Sequence, residues 1–135
     1  MRPKLRVWIA FGDELKFGDG RASLLALIDE RGSLRQAAAE LGMSYRNAWG
    51  YLSDLEDAAG FKLLERVPGG GPRSGMRLTA EGKALVARYA RFRRGLEAVA
   101  ERQFAKAFGT SVARRKGRGR RREKAALPSA SRRRR

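Results

Sequence analysis

The chain has 135 residues, a formal net charge of +17, and neither histidine nor cysteine. That length suits one domain with an appendage, and the missing His and Cys remove the usual zinc ligands and the usual general acid–base of neutral pH. With the acids spaced singly along helices or at helix starts, the composition points away from an enzyme and toward a polyanionic partner.

Leu5, Val7, Ile9 and Phe11 alternate with Arg6, Trp8 and Ala10, the period of a half-buried strand. Gly12-Asp13 offers a tight turn, and Leu15 and Phe17 resume the alternation, so a β-hairpin is expected. Asp19 stands where it can cap a first helix running to about Arg31, with Leu24, Leu25, Leu27 and Ile28 as its apolar face and Gly32 as its end.

Ser33 and Gln36 form a capping box that opens a short second helix burying Leu34, Ala37, Ala38 and Leu41. Gly42 ends it, and Ser44 caps a third helix (about 44–59) with Ala48, Leu52, Leu55 and Ala59 on one face and Gly60 at its end. Two helices joined by a three-to-four-residue turn containing Gly are the helix-turn-helix pattern. Phe61 to Val67 reads as a strand and Met76 to Leu78 as its partner, giving a wing (about 64–78) around a glycine-rich tip. Gly70 and Gly75 have the separation of a nucleotide-binding phosphate loop, but Met76 and Arg77 stand where that motif needs Lys and Ser/Thr.

Thr79 caps a fourth helix (about 80–108), in which Leu85, Tyr89, Phe92, Leu96 and Val99 recur at alternating spacings of four and three. Such a seam buries against the domain or against a second copy, and these five residues are the candidate dimerisation surface. From Ser111 onward there are twelve basic residues and one acid; residues 1–110 hold nineteen basic and thirteen acidic residues. The expected organisation is therefore a DNA-binding domain over 1–110 and a disordered Arg-rich tail over 111–135. The longest apolar run, Leu24 to Ile28, is far below the ~20 residues of a membrane span. Arg6 and Lys16 interrupt any amino-terminal signal, and a cytoplasmic location is expected.

Gly32-Ser33-Leu34, Gln36-Ala37-Ala38, Gly42-Met43-Ser44-Tyr45-Arg46 and Ala48-Trp49 resemble the helix-turn-helix of ModE-type molybdate-responsive regulators. Glu65-Arg66, the glycine-rich wing and Leu78-Thr79 with Gly82 extend the resemblance, which covers roughly Phe17 to Phe104. LysR-type regulators share a looser form of the pattern. The resemblance implies a winged helix-turn-helix homodimer that binds double-stranded operator DNA and controls molybdenum-related genes. The family's oxyanion-binding second domain has no counterpart here, so no cofactor is expected and a molybdate response rests on the resemblance alone.

Candidate DNA contacts follow from the helix faces. On the third helix Ser44, Tyr45, Arg46, Asn47, Trp49, Gly50 and Ser53 lie at its start or off the buried stripe. Arg reads guanine and Asn adenine by paired hydrogen bonds, although Arg46 can also bind only phosphate. Tyr45 has core packing as its alternative, and Trp49 has packing against the wing or the first hairpin. Ser33, Arg35 and Gln36 begin the second helix, facing phosphate. Arg66, Arg73 and Arg77 border the wing and either reach DNA or are simply solvated. The expected fold is mainly α with a small β component. Two rivals are a nucleoid-type or RNA-binding protein driven by its tail, and an interaction adaptor that has lost its DNA contacts.

Overall fold

The computed structural model describes residues 1–68 and 75–109. Arg73 at the wing tip and the basic segment over 111–135 lie outside the described residues. The chain divides into two units, Val7–Tyr89 and Met1–Arg6 with the residues from Ala90 onward.

In the first unit, β1 (Trp8–Phe11) and β2 (Leu15–Gly18) form an antiparallel hairpin with Ile9 opposite Phe17. Gly12 takes a left-handed φ of 67° at the turn. Pairing begins at Trp8, so the expected strand from Leu5 is shorter than its alternation suggested. Helix α1 (Asp19–Arg31) follows, and the expectation that Asp19 caps it is corrected. Gly18 holds the cap position without a side-chain bond, and Asp19, already in the first turn, accepts a hydrogen bond from the Tyr89 hydroxyl at 2.6 Å. Gly32 ends α1 at φ 69° with its N–H on the Ile28 carbonyl.

Helix α2 (Leu34–Glu40) and helix α3 (Tyr45–Ala59) are opened by Ser33 and Ser44, whose hydroxyls accept from the N–H groups of Gln36 and Asn47, both at 3.0 Å. These bonds satisfy amides that a helix start would otherwise leave unpaired. Gly42, at φ 72°, makes the turn between them. Strand β3 (Leu64–Arg66) then pairs antiparallel with β4 (Met76–Leu78), Glu65 facing Arg77. The expected strand from Phe61 is corrected: Phe61 is exposed, and pairing starts only at Leu64. Thr79 opens α4 (Ala80–Phe108) by accepting from Gly82 N–H at 3.0 Å.

The core of this unit joins Phe17, Leu24, Leu25, Ile28, Leu34, Ala37, Ala38, Ala48, Leu52, Leu55, Leu63, Leu64, Leu78 and Tyr89. Each fully buried Leu contributes about 2 kcal/mol of transfer free energy. Ala37, Ala38 and Ala48 are small enough for α2 and α3 to pack closely around that apolar centre. Phe17 meets the Tyr89 ring edge-on at 5.4 Å between centroids. In the second unit, Arg93 donates to the Leu5 carbonyl at 2.9 Å and pairs with Glu97 one turn along α4.

Candidate nucleic-acid interface

The stripe Ala48–Leu52–Leu55 is buried, which turns the opposite face of α3 outward. At 100° per residue, Arg46, Gly50 and Asp57 fall on the ridge furthest from that stripe, with Asn47, Ser53 and Asp54 beside it. All six are exposed. The ridge is therefore basic at its amino end and acidic at its carboxyl end, so a polyanion is favoured only at the first two turns.

Tyr45 and Trp49 stand one turn apart, each 38% exposed, with the indole N–H donating to the Tyr45 hydroxyl at 2.8 Å. The Arg35 guanidinium lies over the Tyr45 ring at 4.2 Å, which joins the start of α2 to the start of α3. Tyr45 is therefore not a core residue. Trp49 faces an open recess of about 180 Å³ lined by Gly32, Ser33, Leu34, Arg35, Tyr45, Trp49, Arg66, Gly75 and Met76. Arg35 and Arg66 thus border one depression between the amino end of α2, the face of α3 and the base of the wing. Arg77 lies on the β3–β4 ladder, where its Nε donates to Glu65 at 2.8 Å, so part of its charge is already offset. Ser33, Gln36 and Ser44 sit at the helix starts, in or beside the capping bonds described above.

Four backbone N–H groups at the base of the wing are held by α3 and by α1 with its terminal glycine. Glu56, on α3, accepts from the N–H groups of Leu63 and Leu64 at 2.7 and 3.1 Å. Asp29, on α1, accepts from Leu78 N–H at 2.9 Å, and the Gly32 carbonyl accepts from Met76 N–H at 3.0 Å. Neither carboxylate was identifiable as a wing anchor from sequence, because an acid on a helix gives no sign of the strand it meets. The only local signal for Glu56 is its distance of seven residues before Leu63.

The candidate dimer residues separate into two groups. Tyr89 is buried and Leu85 packs on the same core, so both serve the domain's own interior. Phe92 and Val99 are each 43% exposed, and Leu96 is half-buried. Part of the expected seam is therefore unavailable to a partner.

Three helices with a Gly turn before the third, followed by a β-hairpin and a long helix, define a winged helix-turn-helix DNA-binding domain. Residues 21–83 match the family described as bacterial regulatory helix-turn-helix protein, lysR family. The chain is 33% identical over 81 residues to the molybdenum-pterin-binding protein MopB of Rhodobacter capsulatus, covering 60% of this chain and 30% of that protein. It is 37% identical over 71 residues to the molybdenum transport protein ModE of Azotobacter vinelandii, covering 53% of this chain and 26% of that one. It is also 36% identical over 69 residues to the DNA-binding transcriptional dual regulator ModE of Escherichia coli strain K12, covering 51% and 26%. The matched stretch thus spans 26–30% of the length of these three relatives.

The crystal structure of a CbnR_DBD–DNA complex superposes with a TM-score of 0.52 at 25% identity, covering 67% of this chain and 99% of that one. Residues 21–83 are accordingly similar to the helix-turn-helix domain of the LysR type, within a region similar to ModE. The matched family, the Escherichia coli ModE and the CbnR_DBD–DNA complex are described as regulatory or DNA-binding proteins, not as enzymes.

Proposed function

We propose that this chain is a sequence-specific, DNA-binding transcription regulator that acts on double-stranded DNA as a homodimer in the cytoplasm. The observation that carries the reading is the outward ridge of α3, where Arg46 and Asn47 stand exposed at the first turn of the helix. A recognition helix places side chains of that position in the major groove. Arg35 and Arg66 border one recess beside the helix and fit phosphates of the DNA backbone there. Regulation of molybdenum-related genes is supported by the similarity to ModE and MopB. Exposed Phe92 and Val99 on α4 support dimerisation. Among the described residues no helix is long and apolar enough to cross a membrane.

Footprinting on the chromosomal fragments recovered with the protein tests the reading. One bounded, two-fold symmetric protected site supports it. Diffuse protection that merely follows protein concentration supports a nucleoid-type or RNA-binding protein driven by its basic tail.

A further inference from the structure

Gly50 lies at the apex of the α3 ridge, in the interior of a helix, and nothing among the described residues accounts for it. A side chain built on Gly50 meets no atom within 4 Å, and its φ lies outside the left-handed region. Glycine in a helix interior costs stability relative to alanine, because it has the most backbone freedom to lose. Gly20 in α1 and Gly95 in α4 are equally open, whereas several glycines have an evident internal reason. A Cβ at Gly75 would run into the Gly32 carbonyl, and one at Gly82 into the Leu63 carbonyl. Gly32, Gly42 and Gly60 hold positive φ. What sets Gly50 apart from Gly20 and Gly95 is its place on the exposed ridge of α3, one turn after Arg46.

We propose that Gly50 is where the backbone of α3 comes closest to the floor of the DNA major groove, and that its missing Cβ sets how deeply Arg46 and Asn47 reach. This rests on the reading of α3 as the recognition helix. Arg46 stands one turn before Gly50 on the same ridge, while Asp54 and Asp57 follow it and repel phosphate. Gly50 is thus the last position before the helix must leave the groove. A methyl group there holds the helix axis outward by about its own thickness, of order 1–2 Å, and paired hydrogen bonds to base edges do not survive that displacement. Phosphate contacts from long basic side chains adjust to it. Recognition of sequence is therefore lost before attraction to DNA in general.

The test uses the full chain and a duplex selected from a random pool by the wild-type protein, with a scrambled duplex of equal length as control. Gly50→Ala should weaken binding to the selected duplex about tenfold and Gly50→Leu about a hundredfold, with the scrambled duplex unaffected. Gly50→Ala should also melt a few degrees above wild type, so that lost binding is not lost folding. If both Gly50 variants bind the selected duplex like wild type while Arg46→Ala does not, this inference is overturned and the reading of α3 stands. If all three bind like wild type, that reading itself fails. A Gly50→Ala protein that melts below wild type overturns the premise that nothing inside the fold needs the glycine.

Discussion

Gly75 and Gly32 meet backbone to backbone: a Cβ on Gly75 would overlap the Gly32 carbonyl oxygen, which also accepts from Met76 N–H at 3.0 Å. Gly75 is not among the positive-φ glycines, so its requirement is steric. Because Gly32 ends α1 immediately before the Ser33 cap, this contact ties the returning strand of the wing to the start of the helix-turn-helix. Gly75→Ala should force the two backbones apart at a cost of about 1–3 kcal/mol, in the range of overpacked interiors. A thermal melt checks the stability, and an operator titration should show weaker binding because the wing has moved. Unchanged melting would mean that the wing base relaxes freely.

Tyr51 gives the fold a signature at high pH. Its hydroxyl donates to the Lys16 carbonyl at 3.2 Å, and the Arg21 guanidinium lies 4.2 Å over its ring. Burial pushes its pKa up to about 12, with Arg21 opposing in part. A folded-state pKa above the unfolded value near 10 contributes stability at lower pH that is lost as pH rises from about 10 to 12. Stability should therefore fall across that window in wild type and more shallowly in Tyr51→Phe. The substitution itself should cost about 1 kcal/mol at neutral pH through the lost hydrogen bond. Denaturant titrations at several pH values measure both.

For dimerisation, only the exposed part of the α4 seam is open to a partner. Phe92→Glu should give monomers without unfolding the domain, because Phe92 is 43% exposed and no part of the core over Val7–Tyr89. Tyr89→Glu should instead unfold the protein, since it buries a charge against Phe17. Sedimentation and circular dichroism separate the two outcomes. Wild-type protein that stays monomeric at tens of micromolar would rule out the dimer.

Operator binding should be independent of molybdate. Each cap hydroxyl at α2, α3 and α4 satisfies one first-turn N–H. The amides left open at α2 and α3 lie on the face read as the DNA interface, where molybdate and sulfate would compete with phosphate alike. Ser33, Ser44 and Thr79 each accept from an N–H three residues on, at 3.0 Å. An effector also acts only through different affinities for two conformations. Titration at fixed ionic strength, with sulfate as control, should give superimposable curves. A tenfold change with molybdate alone, about 1.4 kcal/mol of coupling, would contradict this.

The helices were legible in the sequence because their ends are chemically marked. Ser33, Ser44 and Thr79 at the starts and Gly32, Gly42 and Gly60 at the ends leave local traces, and the buried stripe of α3 appears in its spacing alone. The sequence extends the strands to Leu5 and Phe61, beyond the paired residues, because alternation or an apolar run says nothing of whether a partner strand reaches that far. Asp19 looks like a cap from its position alone, but it bonds Tyr89, seventy residues away, which no local pattern signals. The anchoring of the wing by Glu56, Asp29 and Gly32 is also long-range. The Tyr45–Trp49 hydrogen bond and the Arg35–Tyr45 stack settle orientations that helical spacing had left open.

The central claim is that α3 reads base sequence while the basic segment from Ser111 supplies general attraction. Titration of a selected operator and of its single-base variants, with wild type, Arg46→Ala and a protein lacking residues 111–135, tests this most directly. Arg46→Ala should lose about 1–3 kcal/mol on the operator and stop discriminating at one position in each half-site. Removal of 111–135 should lower affinity for every duplex alike and flatten the dependence on salt. Loss of discrimination on removing the basic segment, with discrimination intact in Arg46→Ala, would contradict the account.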